Sequence, residues 1–425
     1  MKERLLNTML NKKVFYNISK LYSLQGGVRV KEKLSDVSII ENAFIYVENE
    51  IIKEIGKMDN NFVFNEDIQY IDLEGKIVTP GFIDAHTHLV FLGNRNEEYL
   101  ERMGGQTYLE GLKKGKGIYK TVEDTKNASI EELVKKAKEN ALYLISKGVT
   151  TIESKSGYGL DLDTEIKQLR VNNEVASLLN IDIVSTYLGA HAVPKNMSKE
   201  DYIDFMINVV MPFIKKEGLA EFIDVFTERN VFSIEDTIKI FDKAKELGFK
   251  LKIHADEMTP LGGAGLAAKY KCISADHLLC AKEEDLINMK ENNVVAMLLP
   301  MTSFNLKKNY ANISFMKENG LIIALSTDFN PGSSPCNDFI MMMRVASRVY
   351  NLTPSEILSM VTINAAKALD KDWIMGSLEK NKQADFVVFD EESFDDVIIS
   401  MGNPYLKEVY KKGQLIWRDN NEWTR

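Results

Sequence analysis

Histidine is scarce in this chain, with five residues in 425. Cysteine is scarcer still: Cys272, Cys280 and Cys336 are an odd set without Cys-x-x-Cys spacing. That excludes a disulfide scaffold and a four-cysteine zinc ribbon, and leaves the three as reduced, mostly buried thiols. Nine prolines and no low-complexity stretch exclude fibrous and disordered classes. Long apolar runs are missing. The longest, such as Val294 to Leu299, fall far short of the roughly 20 residues that cross a bilayer, so no membrane segment is expected. The start, Met1-Lys2-Glu3-Arg4-Leu5-Leu6-Asn7, meets charge before any apolar stretch that would serve as a signal peptide, and the expected compartment is the cytoplasm. Long basic blocks are also absent. The net charge of −9, from 62 acidic and 53 basic residues interspersed, repels phosphate backbones, so nucleic acid is not an expected partner.

The composition is otherwise that of a globular protein, 45% hydrophobic and 27% charged. The length suits two or three domains at roughly 150 residues each, or one large barrel with an appendage. Short strand-like stretches such as Ala43-Phe44-Ile45-Tyr46-Val47 and Ile51-Ile52-Lys53-Glu54-Ile55 mark residues 1–78 as a small β region. From Thr79 to about Met375, β-branched runs alternate with helical periodicity. Eight strands are expected: Gly81 to His88, Val149 to Lys155, Asp182 to His191, Phe222 to Arg229, Lys250 to Glu257, Ser274 to Leu279, Val294 to Pro300, and Leu321 to Asp328. Ser129-Ile130-Glu131-Glu132 and Ser233-Ile234-Glu235-Asp236 carry helix-start signals between them. Strand patterns return at Gly376-Ser377-Leu378-Glu379, Ala384-Asp385-Phe386-Val387-Val388-Phe389-Asp390 and Gln414-Leu415-Ile416-Trp417. The predicted fold is α/β: a (β/α)8 TIM-like barrel over residues 79–375, with a small β-sandwich domain assembled from both chain ends, 1–78 and 376–425.

The few histidines are not scattered. His86 and His88 lie two apart on one strand and so share a face, which at the C-terminal end of a barrel strand is the active-site mouth. A polar strand end is the plain alternative for that pair. However, His191 ends the third predicted strand, His254 closes the fifth, His277 lies in the sixth and Asp328 ends the eighth. Imidazole and carboxylate gathered at one end of a barrel describe a divalent metal site. His86, His88, His254 and Asp328 form a plausible ligand set with a position left for water, whose pKa such a metal lowers. Glu257, three residues after His254, is placed to move a proton from that water to a leaving nitrogen, or instead to cap the following helix. His277 is either a stabiliser of a developing oxyanion or a further ligand, and spacing does not separate the two.

Around that centre, Arg95 follows the first strand and suits an anionic substrate, although most arginines are solvated surface charges. Tyr158 sits between glycines in Lys155-Ser156-Gly157-Tyr158-Gly159-Leu160, where the backbone is free to approach a ligand or simply to turn. Asp328-Phe329-Asn330-Pro331-Gly332-Ser333-Ser334-Pro335 follows a ligand with amide, backbone and hydroxyl donors in a tight loop.

At these residues the sequence resembles the amidohydrolase superfamily and, within it, the imidazolonepropionase family. Thr79-Pro80-Gly81-Phe82-Ile83-Asp84-Ala85-His86-Thr87-His88 is similar to the superfamily's first-strand signature. Arg95, Lys155-Ser156-Gly157-Tyr158-Gly159, Gly189-Ala190-His191, His254-Ala255-Asp256-Glu257 and Thr327-Asp328-Phe329-Asn330-Pro331-Gly332 are together similar to the narrower family. The resemblance implies one zinc or iron ion on His86, His88, His254 and Asp328. It implies substrate contacts from Arg95, Tyr158, His191, Glu257, Asn330, Gly332 and Ser333. The reaction it implies is attack of a metal-activated water on the ring carbonyl of 4-imidazolone-5-propanoate, opening the cyclic amide C–N bond to N-formimidoyl-L-glutamate. Glu257 would shuttle the proton, with His277 and Asp328 assisting catalysis, in a homodimer.

Two departures stand out: Gly115-Lys116-Gly117-Ile118 where the family commonly has three glycines before Ile, and Asn381-Lys382 where it has Gly-Lys. Two-metal relatives carry a lysine at the end of the fourth strand, where this chain has Thr227-Glu228-Arg229, so a single ion is expected. Two other functions compete. One is a guanine- or cytosine-type deaminase on the same scaffold, which shares the His-x-x-Glu arrangement but has less use for Arg95. The other is a non-catalytic scaffold, which would have no need of a complete ligand set.

Overall fold

A computed structural model of the chain describes residues 12–59, 64–104, 117–402 and 405–419. The chain start and the Gly115-Lys116 departure lie outside the described residues. Sixteen strands follow in order: β1 Lys12–Tyr22, β2 Ile39–Glu48, β3 Ile51–Lys57, β4 Gln69–Asp72, β5 Ile77–Pro80, β6 Phe82–Thr87, β7 Val149–Lys155, β8 Asp182–Ala190, β9 Phe222–Thr227, β10 Lys250–Ala255, β11 Ser274–His277, β12 Val295–Leu298, β13 Ile323–Leu325, β14 Phe386–Phe389, β15 Leu406–Lys411 and β16 Gln414–Arg418. They form two eight-stranded sheets, one running from β6 through β13 in sequence order. Among the described residues no helix is long and apolar enough to cross a membrane.

The β6–β13 sheet is the barrel, and all eight of its strands fall where the sequence places them. Its adjacent strands pair in parallel, for example His254 opposite Asp276 and Ala255 opposite His277. It closes through a parallel bridge between Thr87 and Phe329, flanked by Asp328 N–H to His86 O at 3.1 Å and His88 N–H to Phe329 O at 2.8 Å. The ring closure therefore runs through the segment that carries His86, His88 and Asp328. The helices between strands begin as the sequence signals. Ser233 caps Ile234–Glu246 in a reciprocal box with Asp236, and Ser129 and Glu132 exchange backbone donors in the same way ahead of Ile130–Ile145.

The second sheet is mixed and drawn from both chain ends, in the order β16-β15-β14-β5-β1-β2-β3 with β4 on β1. The sandwich expected from sequence is made by one hydrogen-bonded sheet curling over its own core rather than by two separate ones. Ile51, at the start of the edge strand β3, bridges Gln383 just ahead of β14. Residues 376–379, expected as a strand, form a bend and irregular chain instead, tied just past the end of β1 through Leu378 N–H to Ser23 O at 2.8 Å. Inside lie Phe15, Ile18, Ile45, Ile52, Phe386, Val388 and Tyr410, all buried. Phe15, Phe386 and Tyr410 meet with ring centroids 4.6–5.0 Å apart, an aromatic centre whose burial drives the assembly.

The chain divides into two compact units. One takes the described residues up to Ile83, Leu144–Thr151 and the described residues from Asp338 onward; the other takes Asp84–Tyr143 and Ile152–Asn337. Asn381 stands at φ +75°, in the left-handed region where glycine is the default and asparagine the best-tolerated replacement, which accounts for the second departure. Of the three thiols Cys272 is buried and Cys280 and Cys336 are half-buried, all unoxidised.

Candidate active site

The five histidines converge. His86 is 4.7 Å from His254, 5.7 Å from His88 and 5.8 Å from His277 between ring centroids, and His191 stacks on His88 at 5.1 Å. Asp328 Oδ1 lies 3.4 Å from His86 Nε2 and 3.5 Å from His88 Nε2. Among the described residues three sets of ligand atoms result: His86 with His88 and Asp328, His86 with His254 and His277, and His254 with Asp224 and Asp276. The four ligands read from the sequence are thus brought together, with His277 beside them. His277 would not face this way by strand alternation, since Asp276 occupies the inward position. Left-handed backbone at His277 (φ +76°) and Leu278 (φ +61°) turns it, strain of the kind that persists at functional sites.

The donor set suits a transition metal. His86 Nδ1 is engaged by Asp276 at 2.6 Å, which leaves the buried Nε2, without a hydrogen-bond partner, for the site. His254 Nδ1 is engaged by Asp224 at 3.1 Å. Orienting carboxylates behind metal-binding imidazoles are the usual second layer of such sites. Behind them lies Lys155, whose Nζ donates to Glu153 and Asp224 at 2.8 Å each. Burial would drive the Asp276 carboxyl up, but Lys155 and His86 outweigh it and hold it well below the usual carboxylate range. Burial likewise opposes charge on Lys155, and Asp224, Glu153 and Asp276 reverse that and raise its pKa. Thr302 Oγ1 donates to Asp328 Oδ2.

A cavity of about 350 Å³ opens on this centre, within the range of small-molecule sites. Arg95, Tyr158, His191, Glu257, Asn330 and Ser333 line it. Glu257 Oε2 is 3.7 Å from His277 Nε2, and burial pushes its carboxyl up. It lies on a loop rather than on a helix N-cap: the next helix, Gly263–Tyr270, begins six residues later, with Asp256 accepting from the N–H groups of Gly262, Gly263 and Ala264. The capping role considered for Glu257 belongs to its neighbour.

Several expectations are refined. Arg95 is no solvated surface charge: it is buried and grips Glu98 through Nε and Nη2 at 2.8 Å each. Gly332 leaves room for protein, because an added Cβ would fall 2.0 Å from Arg95 Nη1. Gly157, at φ +110°, is required in the same sense, since a Cβ would fall 2.7 Å from Leu188 O and 2.9 Å from His191 Nδ1. Asn330 lines the cavity, yet its amide closes its own loop: Oδ1 accepts from Gly332 and Ser333, and Nδ2 donates to Asp328 O and Ser333 Oγ.

The supporting residues were not singled out by motif. Glu165 accepts from the N–H groups of Gly157, Gly159 and Leu160 and so shapes the Tyr158 loop. Gln168 accepts from Tyr158 N–H. Glu228, at the end of the fourth barrel strand, accepts from Met258 and Thr259 N–H and fixes the loop after Glu257. The sequence signal for the deeper layer was weak: Glu153 and Lys155 on β7, Asp224 on β9, Lys252 on β10 and Asp276 on β11 are charged residues within expected strands, and the closed barrel buries them all.

A parallel barrel bearing histidines and an aspartate at its strand ends, with a buried glutamate beside them, defines a class of metal-assisted hydrolases, and residues 77–416 match the profile of the Amidohydrolase family. Imidazolonepropionase of Alkaliphilus oremlandii is 44% identical over 412 residues, covering 95% of this chain and 98% of its own. Imidazolonepropionase of Treponema denticola is 47% identical over 377 residues, covering 88% and 91%. The chain belongs to the amidohydrolase family and, within it, to the imidazolonepropionases. Among solved structures, E. coli guanine deaminase superposes with a TM-score of 0.75 over 96% of this chain and 99% of that one, at 16% identity. At that identity the likeness speaks for the fold alone.

Proposed function

We propose that the chain hydrolyses 4-imidazolone-5-propanoate at its cyclic amide C–N bond, giving N-formimidoyl-L-glutamate, with the barrel of residues 79–375 carrying the reaction. The observation that carries this reading is the identity of 40–47% to imidazolonepropionases over most of both chains. The site supports it, with a cluster of metal-ligating side chains, a buried glutamate and a buried arginine around one small cavity.

His86, His88, His254 and Asp328 would hold one transition-metal ion, zinc or iron. When bound, such an ion acts as a Lewis acid that brings the pKa of water toward neutrality. The chain's own groups do the rest. Glu257, its proton affinity raised by burial, takes the proton of the attacking water and returns it to the ring nitrogen as the C–N bond breaks. His277, 3.7 Å from Glu257, donates to the oxygen that becomes negative on the ring carbonyl. Asp328, positioned by Thr302, helps to orient the water. Arg95, held by Glu98, anchors the propionate. Tyr158 and His191 flank the ring, and the Asn330, Gly332 and Ser333 loop completes the wall. The working form is a homodimer in the cytoplasm.

Incubation with imidazolone propionate, guanine and cytosine in parallel separates the readings. Ring opening of the first alone supports the hydrolase, whereas ammonia from either base without ring opening replaces it with the deaminase. A chain that turns over nothing and holds no transition metal is a scaffold. Light scattering of the purified protein tests the dimer.

A further inference from the structure

Three acids and two lysines are buried in the barrel behind the histidines: Glu153, Asp224, Asp276, Lys155 and Lys252, each with no exposed side-chain surface. None of the five lines the cavity, so none touches substrate. Their wiring is unequal. Lys252 Nζ donates to Ala85 O at 3.1 Å and lies 3.5 Å from Glu153. Lys155 Nζ reaches all three acids, at 2.8 Å to Glu153 and Asp224 and 3.6 Å to Asp276. Two of those acids are the ones engaged by ring nitrogens, Asp276 by His86 at 2.6 Å and Asp224 by His254 at 3.1 Å. A single ammonium thus sits between the two carboxylates that aim two histidines. Removing it leaves those carboxylates facing each other and Glu153 in a dry barrel, where like charges repel strongly.

The geometry points to Lys155 as a positioning residue for the metal centre: by pinning Asp224 and Asp276 in one arrangement, it keeps the Nε2 atoms of His86 and His254 directed into the site and thereby sets metal affinity. This rests on the reading that those two histidines are ligands. Orienting partners behind a metal ligand typically change affinity about 10–100-fold when removed. Lys155 serves two such partners at once, so its loss belongs at the upper end of that range.

The test measures Zn(II) affinity of metal-stripped protein by chelator competition, with the melting temperature of each stripped variant recorded alongside. Wild type, Lys155→Met, Asp276→Asn and the double variant are compared below their melting points. Lys155→Met is expected to bind Zn(II) about 100-fold more weakly, and the double variant no more weakly than Lys155→Met, because both changes act through His86. Wild-type affinity in a folded Lys155→Met protein overturns the proposal, and so do losses that multiply in the double variant. Should Lys155→Met fail to fold, the double variant, which removes one charge of each sign, is compared with Asp276→Asn: folded and at least about 10-fold weaker than Asp276→Asn supports the role, folded with the affinity of Asp276→Asn overturns it. Wild-type protein that takes up no Zn(II) overturns the ligand assignment itself, an outcome distinct from an unaffected Lys155→Met.

Discussion

Both sheets enclose a buried interior and use the burial for opposite ends. In the terminal sheet the interior is Phe15, Ile18, Ile45, Phe386 and Val388, groups that gain by leaving water and need no partner. In the barrel the interior near the strand ends is Glu153, Lys155, Asp224, Lys252, His254 and Asp276, groups that lose by leaving water and persist only because each is paired. The contrast teaches where stability and chemistry are kept. An apolar core tolerates small shifts of its parts. A paired ionic interior holds histidines to one orientation because any other arrangement strands a charge.

Substitutions that separate the two interiors test the contrast, beginning with the strongest. Glu257→Gln removes the proton carrier while keeping size and hydrogen bonding, so kcat is expected to fall about 10²–10⁴-fold. Metal content by elemental analysis should not change; unaltered turnover would remove Glu257 from the proton path. In the terminal sheet, Phe386→Ala empties a fully buried aromatic site and should cost about 3–5 kcal/mol of stability. Thermal melting reads that loss, while kcat of the folded enzyme stays at the wild-type value. A large kcat loss without a melting shift would contradict the division of labour.

Arg95→Ala is expected to raise KM about 10–100-fold with a smaller effect on kcat, as loss of a charge-assisted anchor should. Because it removes the guanidinium that donates to buried Glu98, melting must be measured with it. The smallest effect is at Ser233, whose cap on Ile234–Glu246 is remote from both interiors. Ser233→Ala should lower stability by about 1 kcal/mol in denaturant unfolding and leave kcat and KM alone.

The barrel was legible from sequence because eight β-branched runs separated by capped helices admit few other arrangements. The site's front layer was legible because so few histidines exist that each position carries weight: His86, His88, His254, His277 and His191 all reach the predicted mouth. The back layer was not, although its residues lie on strands of the same barrel. Lys155 and Asp224 look like ordinary charges until burial is known, and burial is a property of the closed barrel. What lies against Gly157 and Gly332 was hidden for a similar reason. A glycine announces that something comes close, and only the fold says that Leu188 and His191 lie against the first and Arg95 against the second. Glu98, Glu165 and Glu228 were hidden on loops and helices, where acidic residues are common and few receive several donors.

The central claim is that the histidine-bearing mouth of this barrel opens an imidazolone ring with the help of one metal ion. Its most direct test is the rate of 4-imidazolone-5-propanoate consumption, with N-formimidoyl-L-glutamate identified as product, across samples of graded transition-metal content. The account predicts a rate that rises in proportion to bound metal and levels off at one ion per chain. Fully metal-loaded protein that leaves the imidazolone intact, or a rate indifferent to metal content, would contradict it.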